Sequence, residues 1–496
     1  MERMTQKNPL GLAAVHAARI ADLFAHARSM MATPLPWPAS WELKSEQTAA
    51  ASEECPRILL LTSSLGYGHV RAALAIEAAL RERLPGAVVR TLDFWSLMDD
   101  RVAWAVRSTY LQLIEQHPLL FDRIYRLDQR TWRDILESRE PLPASIAEVA
   151  ALVPPTSGAM SDSPRDAWHP SDRLLLRLLG ATLSSRARGM PGNGRLLRLA
   201  LVSWTWRRLA RRLAQRVQAF DPHAIIATQM NPAALLSSAK RRRSMDVPTI
   251  CVATDFGLHD FWIQPGVDRY CVAHESIARA QRQRLDANKV LATGIPLMPG
   301  FLQPPAAREA RQALGLDTDS PVVLVAGGGL GLGVDAAAEK LLTSPLRLQI
   351  LAVAAHNSTT HRCLSALAEH HRGRIRLWEW TERMELLIRA ADIVVGKPGG
   401  LTVAEALACG RPLIATRALR GQEGFNVRFL EEHEVGRLVS ENDLVAAIDA
   451  LLADRLLLTR MQERAWLLGR RDGADRIAEL ALSLAGPRVR REVRRR

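Results

Sequence analysis

Twice along this chain a short apolar run ends in a turn rich in glycine and passes directly into a helical pattern. Arg57–Thr62 (RILLLT) leads into Ser63-Ser64-Leu65-Gly66-Tyr67-Gly68-His69, then a helix-spaced stretch from Arg71 to Arg83 and a second apolar run at Val88–Leu92. Val322–Ala326 leads into Gly327-Gly328-Gly329-Leu330-Gly331-Leu332-Gly333, with further runs at Leu348–Val353, Ile375–Trp378, Ile393–Val395 and Leu413–Ala415. Unbroken apolar runs suit strands covered on both faces. A glycine turn between strand and helix opens a βαβ unit. Two such series predict an α/β chain with two doubly wound, Rossmann-like domains facing a cleft.

The domain limits follow from where the alternation starts and lapses. Residues 1–54 form an amphipathic extension, helical in pattern from Leu10 to Met31 and broken at Pro34, Pro36 and Pro38. Residues 55–303 form the first Rossmann-like domain, resuming at Ala224–Thr228, Pro232–Arg243, Thr249–Ala253, Cys271–Ala273 and Val290–Thr293. Between about 95 and 220 the pattern is lost in a basic insertion, loosest from Pro141 to Asp172. Pro304-Pro305 within Leu302–Arg308 marks the linker to the second domain, 304–487, and a basic tail occupies 488–496.

Composition removes several classes. Of 496 residues 48% are apolar and 24% charged, ample for buried cores. No stretch reaches the roughly 18 apolar residues of a membrane span. Glu2, His16, Arg19 and Asp22 interrupt what a secretory signal would need. Cys55, Cys251, Cys271, Cys363 and Cys409 are odd in number and include no Cys-x-x-Cys pair, which predicts reduced core cysteines. His274-Glu275 and His433-Glu434 lack the second histidine of a zincin helix.

The formal charge is +14, and its distribution is uneven. Eleven arginines and no acid lie between Arg173 and Arg216, and six arginines with one glutamate between Arg488 and Arg496. Such clusters suit a polyanion, either nucleic acid or an anionic bilayer face.

The glycine turns expose backbone N–H groups at the positive end of a helix, a geometry that favours phosphate and equally serves a tight turn. Neither is followed by Gly-Lys-Ser/Thr, and neither matches the Gly-x-Gly-x-x-Gly dinucleotide fingerprint in its required place. His69 stands at the carboxyl end of the first strand, where open sheets place ligands, with a side chain suited to general-base work. Gly396-Lys397-Pro398-Gly399-Gly400-Leu401-Thr402-Val403-Ala404-Glu405 puts a carboxylate one turn into a helix, able to accept from a ribose diol or to complement the dipole. Gly421-Gln422-Glu423-Gly424-Phe425-Asn426 places polar side chains at the next strand end. Asp255 and His259, four apart, either face the cleft or cap one another. Asp317-Thr318-Asp319 precedes its strand and reads as a loop rather than a metal site.

These runs, with Ser64-x-Gly66-x-Gly68-His69-x-x-Ala72-Ala73 and Thr293-Gly294-Ile295-Pro296, resemble the monogalactosyldiacylglycerol synthase and processive diacylglycerol glucosyltransferase family. Those are family 28-like glycosyltransferases related to the GlcNAc transferase that makes lipid II. The resemblance extends from about residue 57 to 440. It implies a GT-B fold, a lipid acceptor on the first domain and a UDP-sugar on the second. It also implies inversion at the anomeric carbon without a cofactor or an obligatory metal.

By the same resemblance His69 is the base and Asp255 a second candidate for acceptor activation, with Gly66, Gly68 and His259 on the acceptor side. Gly329 and Gly331 would lie against the diphosphate, and Trp380, Thr381 and Met384 near the uracil. Gly399, Gly400, Leu401 and Thr402 would form the donor loop. Glu405 would hold the ribose, and Gln422, Glu423 and Asn426 would lie at the sugar. Two departures stand out: Arg420 where the family often has proline, and Gly-Tyr-Gly in place of a run of glycines.

Trp204 and Trp206 interleaved with Arg207, Arg208, Arg211 and Arg212 suit a helix lying on an anionic bilayer, or equally a solvated basic helix. The expectation is a cytoplasmic enzyme held peripherally on the inner face of the membrane, moving a hexose to diacylglycerol or a similar lipid. A polyprenyl-diphosphate acceptor is the alternative. A nucleic-acid-binding protein is the reading from a different class, although aromatics are only 5% and no DNA- or RNA-binding motif occurs.

Overall fold

The computed structural model describes residues 55–64, 66–98, 103, 208–241, 245–416, 418 and 423–486. The chain divides into two compact units. One comprises 42–94 and 217–496 and contains both sheets; the other comprises 1–41 and 95–216. The N-terminal extension, most of the insertion, Trp204, Trp206, Arg207, Gln422 and the basic tail lie outside the described residues.

The first lobe runs β1 (Arg57–Thr62), α1 (Tyr67–Arg83), β2 (Val88–Asp93), β3 (Ala224–Ala227), α2 (Met230–Arg241), β4 (Thr249–Val252), β5 (Arg269–Val272), α3 (Glu275–Arg282) and β6 (Val290–Ala292). Its strands are parallel in the order β2-β1-β3-β4-β5-β6. β1 and β3 pair with Leu61 beside Ala227, which sets Thr62 and Thr228 together at the carboxyl edge. Their hydroxyls are 3.1 Å apart.

A short turn at Pro299–Phe301 leads to the second lobe. It comprises α4 (Ala307–Ala313), β7 (Val322–Ala326), α5 (Val334–Leu342), β8 (Gln349–Val353), α6 (Ser358–His370), β9 (Ile375–Trp378), α7 (Met384–Ala390), β10 (Ile393–Gly396), α8 (Gly400–Ala408), β11 (Leu413–Ala415), α9 (Gly424–Glu432) and β12 (Gly436–Leu438). The strand order β12-β11-β10-β7-β8-β9 is again all parallel. All five residues of β7 are buried, as a strand covered on both faces demands, and each buried valine or leucine contributes roughly 1.5–3 kcal/mol. Two six-stranded parallel sheets meet the GT-B expectation. β12, which the sequence pattern does not announce, is a three-residue strand with two exposed positions and no apolar run.

The chain ends with α10 (Leu444–Ala453), α11 (Arg455–Leu468) and α12 (Gly473–Leu484). The sequence-based limit of 304–487 assigns α12 to the second domain. Its packing assigns it to the first. Ile477, Ala478, Ala481 and Leu482 share one buried cluster with Ile58, Leu60, Ile76 and Leu80. Arg83 binds the Asp475 carboxylate, and Arg476 donates to the Ala292 carbonyl at 2.8 Å. Helical periodicity shows that a helix has an apolar face but not which sheet that face covers.

Candidate active site

Each sheet reverses strand order once, between β1 and β3 in the first lobe and between β7 and β10 in the second. Ligands of open parallel sheets bind in the crevice at such points, beyond the carboxyl ends of the strands. Both glycine turns lie there.

At the first crevice, α1 begins at Tyr67 with Gly66 as its cap, so His69 falls in the opening turn. The ring Nδ1 is 2.9 Å from the Thr228 carbonyl oxygen and 2.9 Å from the Thr254 hydroxyl. A carbonyl oxygen only accepts, so Nδ1 carries the proton in that bond and Nε2 keeps its lone pair. The Thr228 hydroxyl in turn donates to the His69 carbonyl at 3.1 Å. Burial pushes the imidazole down to about 4, against the raising effect of the Thr228 carbonyl, so it is neutral at pH 7. This is a fixed proton acceptor.

At the second crevice the glycine turn becomes a tight helical turn over Gly328–Leu330. Gly331 adopts φ 60°, and a β-carbon there would overlap the Ala354 carbonyl. The Asn357 amide donates to the Leu330 carbonyl at 3.3 Å, and the Thr360 hydroxyl to that of Gly331 at 3.3 Å. α8 starts at Gly400, where a side chain would strike the Thr254 carbonyl, so its N-terminus is pressed against the first lobe.

Glu405 lies one turn into α8, half-buried, and its carboxylate makes no hydrogen bond among the described residues. Burial pushes its carboxyl up to about 7; Arg71 opposes the rise and Glu385 adds to it. Lys397, at the end of β10, forms an ion pair of 2.7 Å with Glu423, which is 3% exposed.

Between the crevices the lobes touch through an aromatic stack. Tyr67 lies over His356 with ring centroids 4.9 Å apart, and His356 over Trp380 at 4.4 Å. A β-carbon on Gly329 would collide with the Tyr67 side chain. One turn further along α1, the Arg71 guanidinium binds Glu382 at 2.6 Å and lies 6.0 Å from the Trp380 ring. Trp380 Nε1 donates to the same carboxylate at 2.8 Å.

Two family profiles match the chain. Residues 197–297 match the family profile described as monogalactosyldiacylglycerol (MGDG) synthase, and residues 322–477 that of the glycosyltransferase family 28 C-terminal domain. The chain is a glycosyltransferase with a family 28 C-terminal domain. The processive diacylglycerol beta-glucosyltransferase of Bacillus subtilis (strain 168) is 30% identical over 257 residues, 51% of this chain and 66% of that protein. The protein of the same description from Bacillus cereus (strain AH187) is 26% identical over 287 residues, 57% of this chain and 73% of its own. Among solved structures, Acinetobacter baumannii MurG aligns over 86% of this chain and 99% of its own, at 15% identity and a TM-score of 0.48.

Several side chains anticipated at the glycosyltransferase's ligands are instead occupied by the protein. Asn426 is fully buried; its amide donates to Asp255 at 3.0 Å and to the Pro398 carbonyl at 2.9 Å, and its oxygen accepts from Phe256 N–H at 2.7 Å. With both donors used inside the fold, Asn426 clips the lobes together. Asp255 accepts from Asn426 and from the Gly400 N–H, and so fastens the head of α8. Burial holds its carboxyl above the usual range, offset by Asn426 and Lys397.

The remaining candidates are placed as follows. His259 packs beside Trp262, ring centroids 6.4 Å apart, and burial pushes its pKa down to about 4. Thr381 accepts from Arg383 N–H at 3.0 Å in a local turn, and Met384 packs against the core. Gly399 caps α8, Thr402 follows in its first turn, and Leu401 meets Gly68 across the cleft. Residues 208–220 are helical. Within that helix Arg211 is exposed, while Arg212 donates to the Leu97 carbonyl at 2.7 Å and Arg208 is partly buried. Tyr67, Arg71 and His356 are cleft residues that sequence reasoning did not place there. The tyrosine interrupting the glycine run was their one visible signal.

Proposed function

We propose that this glycosyltransferase moves a hexose from a UDP-sugar to a lipid hydroxyl such as that of diacylglycerol, with inversion, at a membrane surface. The observation that carries this reading is His69, held by the Thr228 carbonyl with Nε2 as acceptor, on the lobe opposite the α8 N-terminus and Glu405. The names of the relatives support the acceptor class. The Arg- and Trp-rich stretch supports the surface.

In this reading the acceptor hydroxyl passes its proton to Nε2 as its oxygen attacks C1. The bond from C1 to the diphosphate oxygen breaks, and UDP leaves with the electron pair. The negative diphosphate raises the basicity of a nearby imidazole, so the proton is best accepted when the donor is bound. Backbone N–H groups of the glycine turn and the head of α8 stabilise the departing charge. Base catalysis of this kind contributes about 10²–10⁴-fold.

The test is incubation of purified protein with a panel of UDP-sugars and a total lipid extract, with products weighed by mass spectrometry. A glycosylated diacylglycerol is the expected product. Transfer to a polyprenyl-diphosphate-linked acceptor would reassign the substrate, and turnover with no UDP-sugar would overturn the reading.

A further inference from the structure

The donor site as anticipated lies wholly on the second lobe, yet a cation from the first lobe reaches it. Gly68 and Leu401 meet where the first turn of α1 crosses the first turn of α8, a β-carbon on Gly68 lying 3.7 Å from that of Leu401. One turn further along each helix stand Arg71 and Glu405. The Arg71 side chain is only 14% exposed, anchored by Glu382 and edged by Trp380. Among the described residues, the charged groups acting on Glu405 are Arg71 from α1 and Glu385 from α7, the latter paired with Arg383 at 2.6 Å. Cys409 is also near, with its thiol pushed well up by burial and therefore neutral. Among the described residues, Arg71 is thus the cation that favours a charged Glu405.

We propose that Arg71 is a positioning residue for donor recognition: it keeps the Glu405 carboxylate in the ionised form that accepts ribose hydroxyls, so the donor site is complete only with the first lobe in contact. The inference rests on the donor-site reading above. A protonated carboxyl would offer one oxygen as donor and lose acceptor capacity, and burial alone drives Glu405 towards that form. Arg71 would thereby link donor affinity to closure of the cleft.

The experiment is calorimetric titration of the full chain with UDP between pH 5.5 and 9. In the wild type affinity rises with pH through a midpoint near 7. Arg71→Met moves the midpoint up by about one pH unit, a loss of about fivefold at pH 7 that recovers by pH 9. Arg71→Lys retains the midpoint, and Glu382→Gln leaves it in place or lowers it. Urea melts without UDP give an independent reading: the pH at which stability stops falling moves up in Arg71→Met. A loss of equal size at every pH, the same loss in Glu382→Gln, or an unmoved midpoint would overturn the inference alone. Wild-type protein that bound no UDP at any pH would overturn the donor-site reading, and the inference with it.

Discussion

Asn426 and Asp255 sit 3.0 Å apart on opposite lobes, one wholly buried amide holding one carboxylate. The same amide group accepts the N–H of Phe256, next to Asp255, so the contact fixes backbone and side chain together. Asn426→Ala should lower stability by about 2–3 kcal/mol, because it strands the Phe256 N–H and the Pro398 carbonyl in a dry site. Urea denaturation would measure this, and a loss below about 0.5 kcal/mol would show that the clip is dispensable.

His69→Ala should reduce turnover at least about a hundredfold while UDP affinity survives. A steady-state assay paired with calorimetry separates the two effects. Unchanged turnover would remove the imidazole from the chemistry.

Glu405→Gln should do two opposite things. The folded protein holds the Glu405 proton up to about pH 7, whereas an unfolded carboxyl loses it near 4.5. The folded state therefore binds more protons in that window, and wild-type stability falls as pH rises through it. The amide variant escapes this fall and should be more stable above pH 7 by about 1–3 kcal/mol, with little difference near pH 4. Its UDP affinity should drop about tenfold or more. A variant that is neither stabilised nor weakened in binding would refute the placement of Glu405.

Gly329→Ala should impair donor binding, since the added carbon meets Tyr67. Tyr67→Gly in the same chain should restore much of the affinity by vacating that space. Failure of the second change to rescue the first would mean that Tyr67 is not what limits the turn.

Replacing Arg207, Arg208 and Arg211 with glutamine should weaken association with anionic vesicles at low salt, by about 1 kcal/mol per cation that reaches the surface. Sedimentation at matched salt would measure this. Equal association would place the basic helix away from the bilayer.

The strands were legible in the residues because burial on both faces leaves a continuous apolar run. Arg57–Thr62, Val322–Ala326 and Leu413–Ala415 are bounded as their sequences suggest. His69 and Glu405 were legible because each follows a glycine turn at a strand end. Arg71 and Tyr67 were not, since their partners Glu382 and His356 lie about three hundred residues away and only the docking of the lobes brings them near. Asn426 illustrates a different limit. A polar side chain at a strand end looks the same in sequence whether it faces a ligand or its own backbone.

The return of α12 to the first sheet has a mechanical consequence. The polypeptide passes between the lobes once near Pro299–Phe301 and again between Leu468 and Gly473. A door hung on two pins swings about a single line, and a body joined by two strands of chain loses most of its freedom to twist or slide. Any opening of the cleft is thereby channelled into one swing. A cut after Leu468 would leave the first lobe without a piece of its own core.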